Sequence, residues 1–76
     1  MRAKAGRLKD SQFDKRRVIL GYKVLVRSTQ EALGFFRENF AVRIKRPSGD
    51  IDLNVTAAYY WQAFNAAKKH IVEQGL

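Results

Sequence analysis

Seven of the first 17 side chains are cations (Arg2, Lys4, Arg7, Lys9, Lys15, Arg16 and Arg17), and only Asp10 and Asp14 oppose them. Each Lys or Arg that neutralises a phosphate releases a counterion. Such a run therefore grips polyanions in a salt-dependent way, and arms of this kind also enter a minor groove. Phosphate contacts position a protein without reading sequence, so no base preference follows. The same residues also suit a solvated terminal arm. A second basic set, Lys23, Arg27, Arg43, Lys45 and Arg46, joins the arm in one surface if all of them share the wet face of a sheet. Asp50 and Asp52 are placed to balance that set instead. A third set is Tyr59, Tyr60 and Trp61. Tyr60 and Trp61 fall on an apolar helical stripe and read as core. Tyr59 points away from it, where a tyrosine stacks on a base or anchors a protein contact.

Other chemistry is poorly provided for. His70 is the lone histidine, late on a helix between Lys69 and Ile71, with no partner in view to make it a general base. Asp50 and Asp52 project the same way from a strand and read as charge partners of Arg43 and Lys45 rather than cation ligands. Without cysteine there is no thiolate and no Cys/His zinc site. The five glycines, at 6, 21, 34, 49 and 75, form no phosphate-cradling loop. The expectation is a non-enzymatic binding module with no cofactor and no metal.

The bulk composition agrees with a folded domain. In 76 residues, 46% are hydrophobic and nine are aromatic, which excludes global disorder. A chain this short makes one domain and buries about two thirds of its unfolded surface. The net charge is +8 and the pI about 10.3. Residues 1–17 carry a net +5 and residues 18–76 a net +3. The absence of cysteine favours a reducing, cytoplasmic setting. No apolar run approaches the ~20 residues of a membrane span, and the basic start has no apolar stretch behind it to make a secretory signal.

The elements that position these residues follow from periodicity. Leu8 and Phe13 are the main apolar anchors of a basic arm at 1–17, with a short helix possible over 10–17. Val18 to Val26 is rich in β-branched residues and reads as one strand, apolar on one face and mixed on the other, hence central or covered on its second side, with Gly21 as a bulge or a close approach. Ser28 and Glu31 have the spacing of a capping box. Ala32, Leu33, Phe36 and Phe40 recur behind them at helical spacing, which predicts a helix over 29–39.

Phe40, Val42 and Ile44 then alternate with Ala41, Arg43 and Lys45. After Arg46-Pro47-Ser48-Gly49, Ile51, Leu53 and Val55 alternate with Asp50, Asp52 and Asn54. This predicts a β-hairpin over 40–55 with one buried and one wet face. From Thr56 to about Glu73, Ala57, Tyr60, Trp61, Phe64, Ala67 and Ile71 form one stripe of an amphipathic helix. Thr56 or Asn54 would cap it, Asp50 and Asp52 would lie near its positive end, and Gly75 would stop it.

The expected fold is α+β, a β-α-β-β-α domain at 18–76 with a three-stranded sheet and two helices behind the arm. The leading functional expectation is a nucleic-acid-binding accessory protein, for DNA or RNA, that grips phosphates with the arm and the sheet face. The alternative is a protein-interaction module, a small inhibitor or regulator meeting an acidic protein surface through Tyr59, Ile19 and Leu25. A ribosome-associated subunit fits the charge equally well.

Overall fold

The computed structural model describes residues 7–32 and 37–76. Among these the fold is α+β: one antiparallel sheet of four strands in the order β1-β2-β3-β4, followed by one C-terminal helix. The strands are β1 (Lys15–Ile19), β2 (Tyr22–Ala32), β3 (Glu38–Ile44) and β4 (Ile51–Ala57), and the helix α1 is Tyr60–Gln74.

Three expectations are corrected. The run Val18–Val26 is not one strand. Leu20 and Gly21 adopt positive φ, 52° and 85°, and turn the chain so that Ile19 faces Tyr22 and Lys15 faces Val26. Two consecutive positive φ values are what a tight two-residue hairpin turn requires. Leucine disguises the signal that Asn or Asp would have given.

The helix expected over 29–39 is likewise replaced by strand at both ends. β2 continues to Ala32 and β3 begins at Glu38, while 33–36 lie outside the described residues. Ser28 lies within β2, and its hydroxyl donates to the Glu38 carboxylate across the β2–β3 pair. Pairing with β3, which carries on past a register shift from Ser28 opposite Phe40 to Ala32 opposite Glu38, outweighs a local helical preference.

Finally, the arm is not separate from the domain as far as it is described. A single 3₁₀ turn at Asp10–Gln12 replaces the possible helix over 10–17, and the boundary set at 17 falls inside β1.

The hairpin expected over 40–55 is present, between β3 and β4. Ile51, Leu53 and Val55 are half-buried rather than buried, however, and its second face is not wholly wet, since Arg43 is buried. Val42 faces Leu53 and Ile44 faces Ile51, and the Gly49 N–H closes the Pro47-Ser48 turn on the Arg46 carbonyl at 3.1 Å. Val24, Val26, Phe40, Val42 and Ile44 line one face of the sheet and are covered by Ala63, Phe64, Ala67 and Ile71 of α1. That face is the apolar core, and burial of such side chains contributes about 1.5–3 kcal/mol each.

The start of α1 differs in detail from the expectation. Thr56 lies in β4, and the N-cap is Tyr59. The Gln62 side-chain oxygen accepts from the backbone N–H groups of Ala58 and Tyr59 at 2.8 and 3.1 Å, half of a capping box. Asp50 and Asp52 sit a whole strand away from this end. Gly75 stops the helix as expected, in the left-handed conformation at φ 67°, and the Leu76 N–H returns to the Ile71 carbonyl.

Candidate nucleic-acid interface

Residues opposite one another on antiparallel strands share a face. Leu25 faces Arg43, and Arg43 faces Asp52, so all three lie on the side away from α1. The sequence places this side in water, but residues 7–14 cross it as a strap. Phe13 is 6% exposed and Leu25 1%. The Asp14 N–H donates to the Val26 carbonyl at 3.0 Å, and the Asp14 carboxylate accepts from the Ser28 N–H and the Tyr60 hydroxyl.

Arg43 is the centre of this layer. It is 3% exposed and the one charged side chain buried among the described residues. Its guanidinium forks onto Asp52 at 2.7 and 3.3 Å. It also donates to the Leu8 carbonyl and to Asp10, the latter at 3.0 Å, and lies 4.9 Å from the Phe13 ring centroid. Around it, Arg7 pairs with Asp50 and Asp52, and Lys45 with Asp10 and Asp50 at 2.9 Å each. Hydrogen bonds from Lys45 and then Arg43 hold the Asp10 carboxyl below the usual aspartate range. Arg43 does the same for Asp52, and the Arg43 and Lys45 pKa values rise correspondingly. Three cations meet three carboxylates here, so the layer is locally neutral.

The twelve basic residues expected to contact nucleic acid therefore fall into groups. Arg2 and Lys4 lie outside the described residues. Arg7, Arg43 and Lys45 are spent on carboxylates within the fold. Arg27, half-buried, donates to the Gln12 carbonyl, and Arg46 donates to the Gly49 carbonyl. Lys9, Lys15, Arg16, Arg17 and Lys23 are exposed and form no ion pair among the described residues. Lys15 and Arg17 share the α1 side of β1, with Lys15 5.4 Å from the Tyr60 ring centroid and Arg17 5.2 Å from that of Phe64. Arg16 is opposite Leu25 and Lys23 opposite Val18, on the other side. The two basic sets thus do not merge into one surface through Arg43 and Lys45.

The structure also brings forward residues that the sequence assigned elsewhere. Trp61, expected in the core, is 55% exposed, and its ring stacks on that of Tyr59 at 6.4 Å and 9°. Tyr59 is exposed as expected, at 61%. Tyr60 is half-buried, edge-on to Phe40 at 5.1 Å. Leu25, expected as an exposed contact, is buried, and Ile19 is half-buried. Val18 and Leu20 are exposed in their place, because the turn at Leu20–Gly21 reverses the chain after them.

Between β1 and α1 lies an open groove of about 300 Å³ bordered by Arg17, Leu20, Trp61, Phe64, Asn65 and Lys68. Lys68 was not among the expected contacts. The recurrence of Trp61, Phe64, Asn65 and Lys68 at three- and four-residue steps was the signal that they share one side of a helix.

Among the described residues no three His, Cys, Asp or Glu side chains converge to hold a metal, and no helix is long and apolar enough to cross a membrane. No protein-family model matches the chain, and no curated protein and no solved structure matches it significantly.

Proposed function

We propose that this chain is a small basic accessory protein that binds nucleic acid by gripping phosphates along β1. One observation carries the reading: Lys15, Arg16 and Arg17 are consecutive, exposed and without carboxylate partners among the described residues, on a strand that pairs on one side only. Consecutive bases left unpaired, in a fold that spends Arg7, Arg43 and Lys45 on carboxylates, are available to a polyanion. Arg2 and Lys4 extend the same charge toward the N-terminus. The absence of cysteine supports a cytoplasmic setting for it.

The test is a titration of duplex DNA, single-stranded DNA and RNA at two salt concentrations. Binding is expected at low salt and should weaken steeply as salt rises. Replacing Lys15, Arg16 and Arg17 by Gln should flatten the log affinity against log salt by about 0.9 per lost contact on duplex and about 0.7 on single strands. No binding at low salt to any of the three would reject the reading.

A second reading, a protein-interaction module regulating a larger partner, draws on Val18, Leu20 and Tyr59, which are 72%, 56% and 61% exposed. Under it, the Gln replacements should slow association with an acidic partner and leave dissociation nearly unchanged.

A further inference from the structure

We propose that the groove between β1 and α1 takes single-stranded nucleic acid, with a base stacked on Trp61 and flanking phosphates on Arg17 and Lys68. The inference rests on the nucleic-acid reading above and specifies its ligand. Trp61 is in the first turn of α1, with Tyr59 packed parallel to its ring. The two ring centroids are 6.4 Å apart, and the indole remains 55% exposed. Phe64, one turn on, forms the floor, and Arg17 lies over its ring. Lys68 follows one turn later on the same side of the helix. The lining contains two cations and no carboxylate, so it is complementary to an anion. Asn65 adds an amide able to meet a base edge.

A flat exposed aromatic beside paired cations suits an unstacked base joined to phosphates, because every base has a π-face. Duplex DNA keeps its bases stacked and presents only their edges in the grooves, leaving the indole without a planar partner. A peptide of acidic side chains alone would engage the cations and leave Trp61 similarly unused.

Trp61 is the single tryptophan of the chain, so its fluorescence reports this groove alone. The full-length chain is titrated with a short oligothymidylate, a duplex of equal length, and polyglutamate. Saturable quenching by the oligothymidylate is expected, with little by the other two. Trp61→Ala should weaken binding of labelled oligothymidylate about 5- to 150-fold, and Trp61→Phe should restore much of that loss. Arg17→Gln and Lys68→Gln should each flatten the salt dependence by about 0.7.

Thermal melts check whether each variant folds. Should Trp61→Ala unfold, Trp61→Phe, Lys68→Gln and the wild-type quench carry the test. Equal binding of single strand and duplex with Trp61→Ala unaffected would overturn the groove assignment and leave the nucleic-acid reading standing. Loss of all nucleic-acid binding at low salt would overturn both. Quenching by polyglutamate alone would overturn it in favour of an acidic protein partner.

Discussion

Arg43 and Asp10 are 33 residues apart in sequence and 3.0 Å apart in space, and this pair, with Asp52, fastens the strap to the outer face of the sheet. The guanidinium side chain is 4% exposed, whereas the Asp10 and Asp52 side chains are 50% and 45% exposed. Charge is therefore costly to strand on one partner and cheap to strand on the others.

That asymmetry orders two substitutions. Arg43→Met leaves carboxylates that water can solvate and places an apolar chain beside Phe13 and Leu25, so a loss of about 1.5–3 kcal/mol is expected from its charged hydrogen bonds. Asp52→Ala removes the fork from a guanidinium that stays buried but keeps Asp10 and the Leu8 carbonyl. It is expected to cost more than Arg43→Met, yet less than the roughly 3–5 kcal/mol of a fully uncompensated buried charge. Urea unfolding measures both, and the reverse order would show that the strap is held by packing of Leu8 and Phe13 instead.

The same carboxylates set the acid limit of the strap. The Asp10 and Asp52 pKa values are depressed in the folded state. Their stabilisation is fully present above the unfolded aspartate value of about 3.9 and is lost as pH falls through the lower folded values. Lys45 is shifted upward, so its contribution holds below the unfolded lysine value of about 10.4 and fades only as pH rises past it. Melting temperature followed from pH 7 to pH 2 should fall mainly below pH 4, and Asp10→Asn should flatten that fall. An unchanged acid slope in Asp10→Asn would remove Asp10 from the explanation.

Phe64 and Trp61 separate core from surface on one helix. Phe64 is 5% exposed and Trp61 55%. Phe64→Ala is expected to cost about 3–5 kcal/mol, whereas Trp61→Ala should shift the melt by little, as exposed substitutions do. Equal destabilisation by the two would mean that the Tyr59–Trp61 stack supports the fold.

The legible and illegible parts of this sequence differ in how local their determinants are. The β3–β4 hairpin could be read because Val42, Ile44, Leu53 and Val55 alternate without interruption around a Pro-Ser-Gly turn. The pairing of Arg43 with Asp52 and of Lys45 with Asp50 followed from that register. The burial of Arg43 could not be read, since it depends on Leu8, Asp10 and Phe13 returning across the sheet from the other end of the chain. Val18–Val26 misled because a Leu-Gly turn keeps the apolar pattern unbroken while reversing the direction. Ser28 and Glu31 misled because capping-box spacing spans four residues and can arise within a strand. The aromatic face of the candidate groove was missed for a related reason: Trp61 fits the apolar stripe by spacing, but the sheet is covered by Ala63, Phe64, Ala67 and Ile71.

The sheet is thus sealed by apolar packing alone under α1 and by ion pairs added to the Phe13 and Leu25 packing under the strap, and these two chemistries respond oppositely to temperature. Apolar stabilisation weakens on cooling. The desolvation penalty of ion pairs falls on heating. Cold should therefore loosen α1 from Val24, Val42 and Ile44 before it loosens Asp10 from Arg43, and warming should shift the balance the other way. Amide exchange at Ile71 and at Asp14, compared across temperature, would register the difference as a crossing of their relative protection. Parallel curves at the two amides would mean that both layers open as one unit.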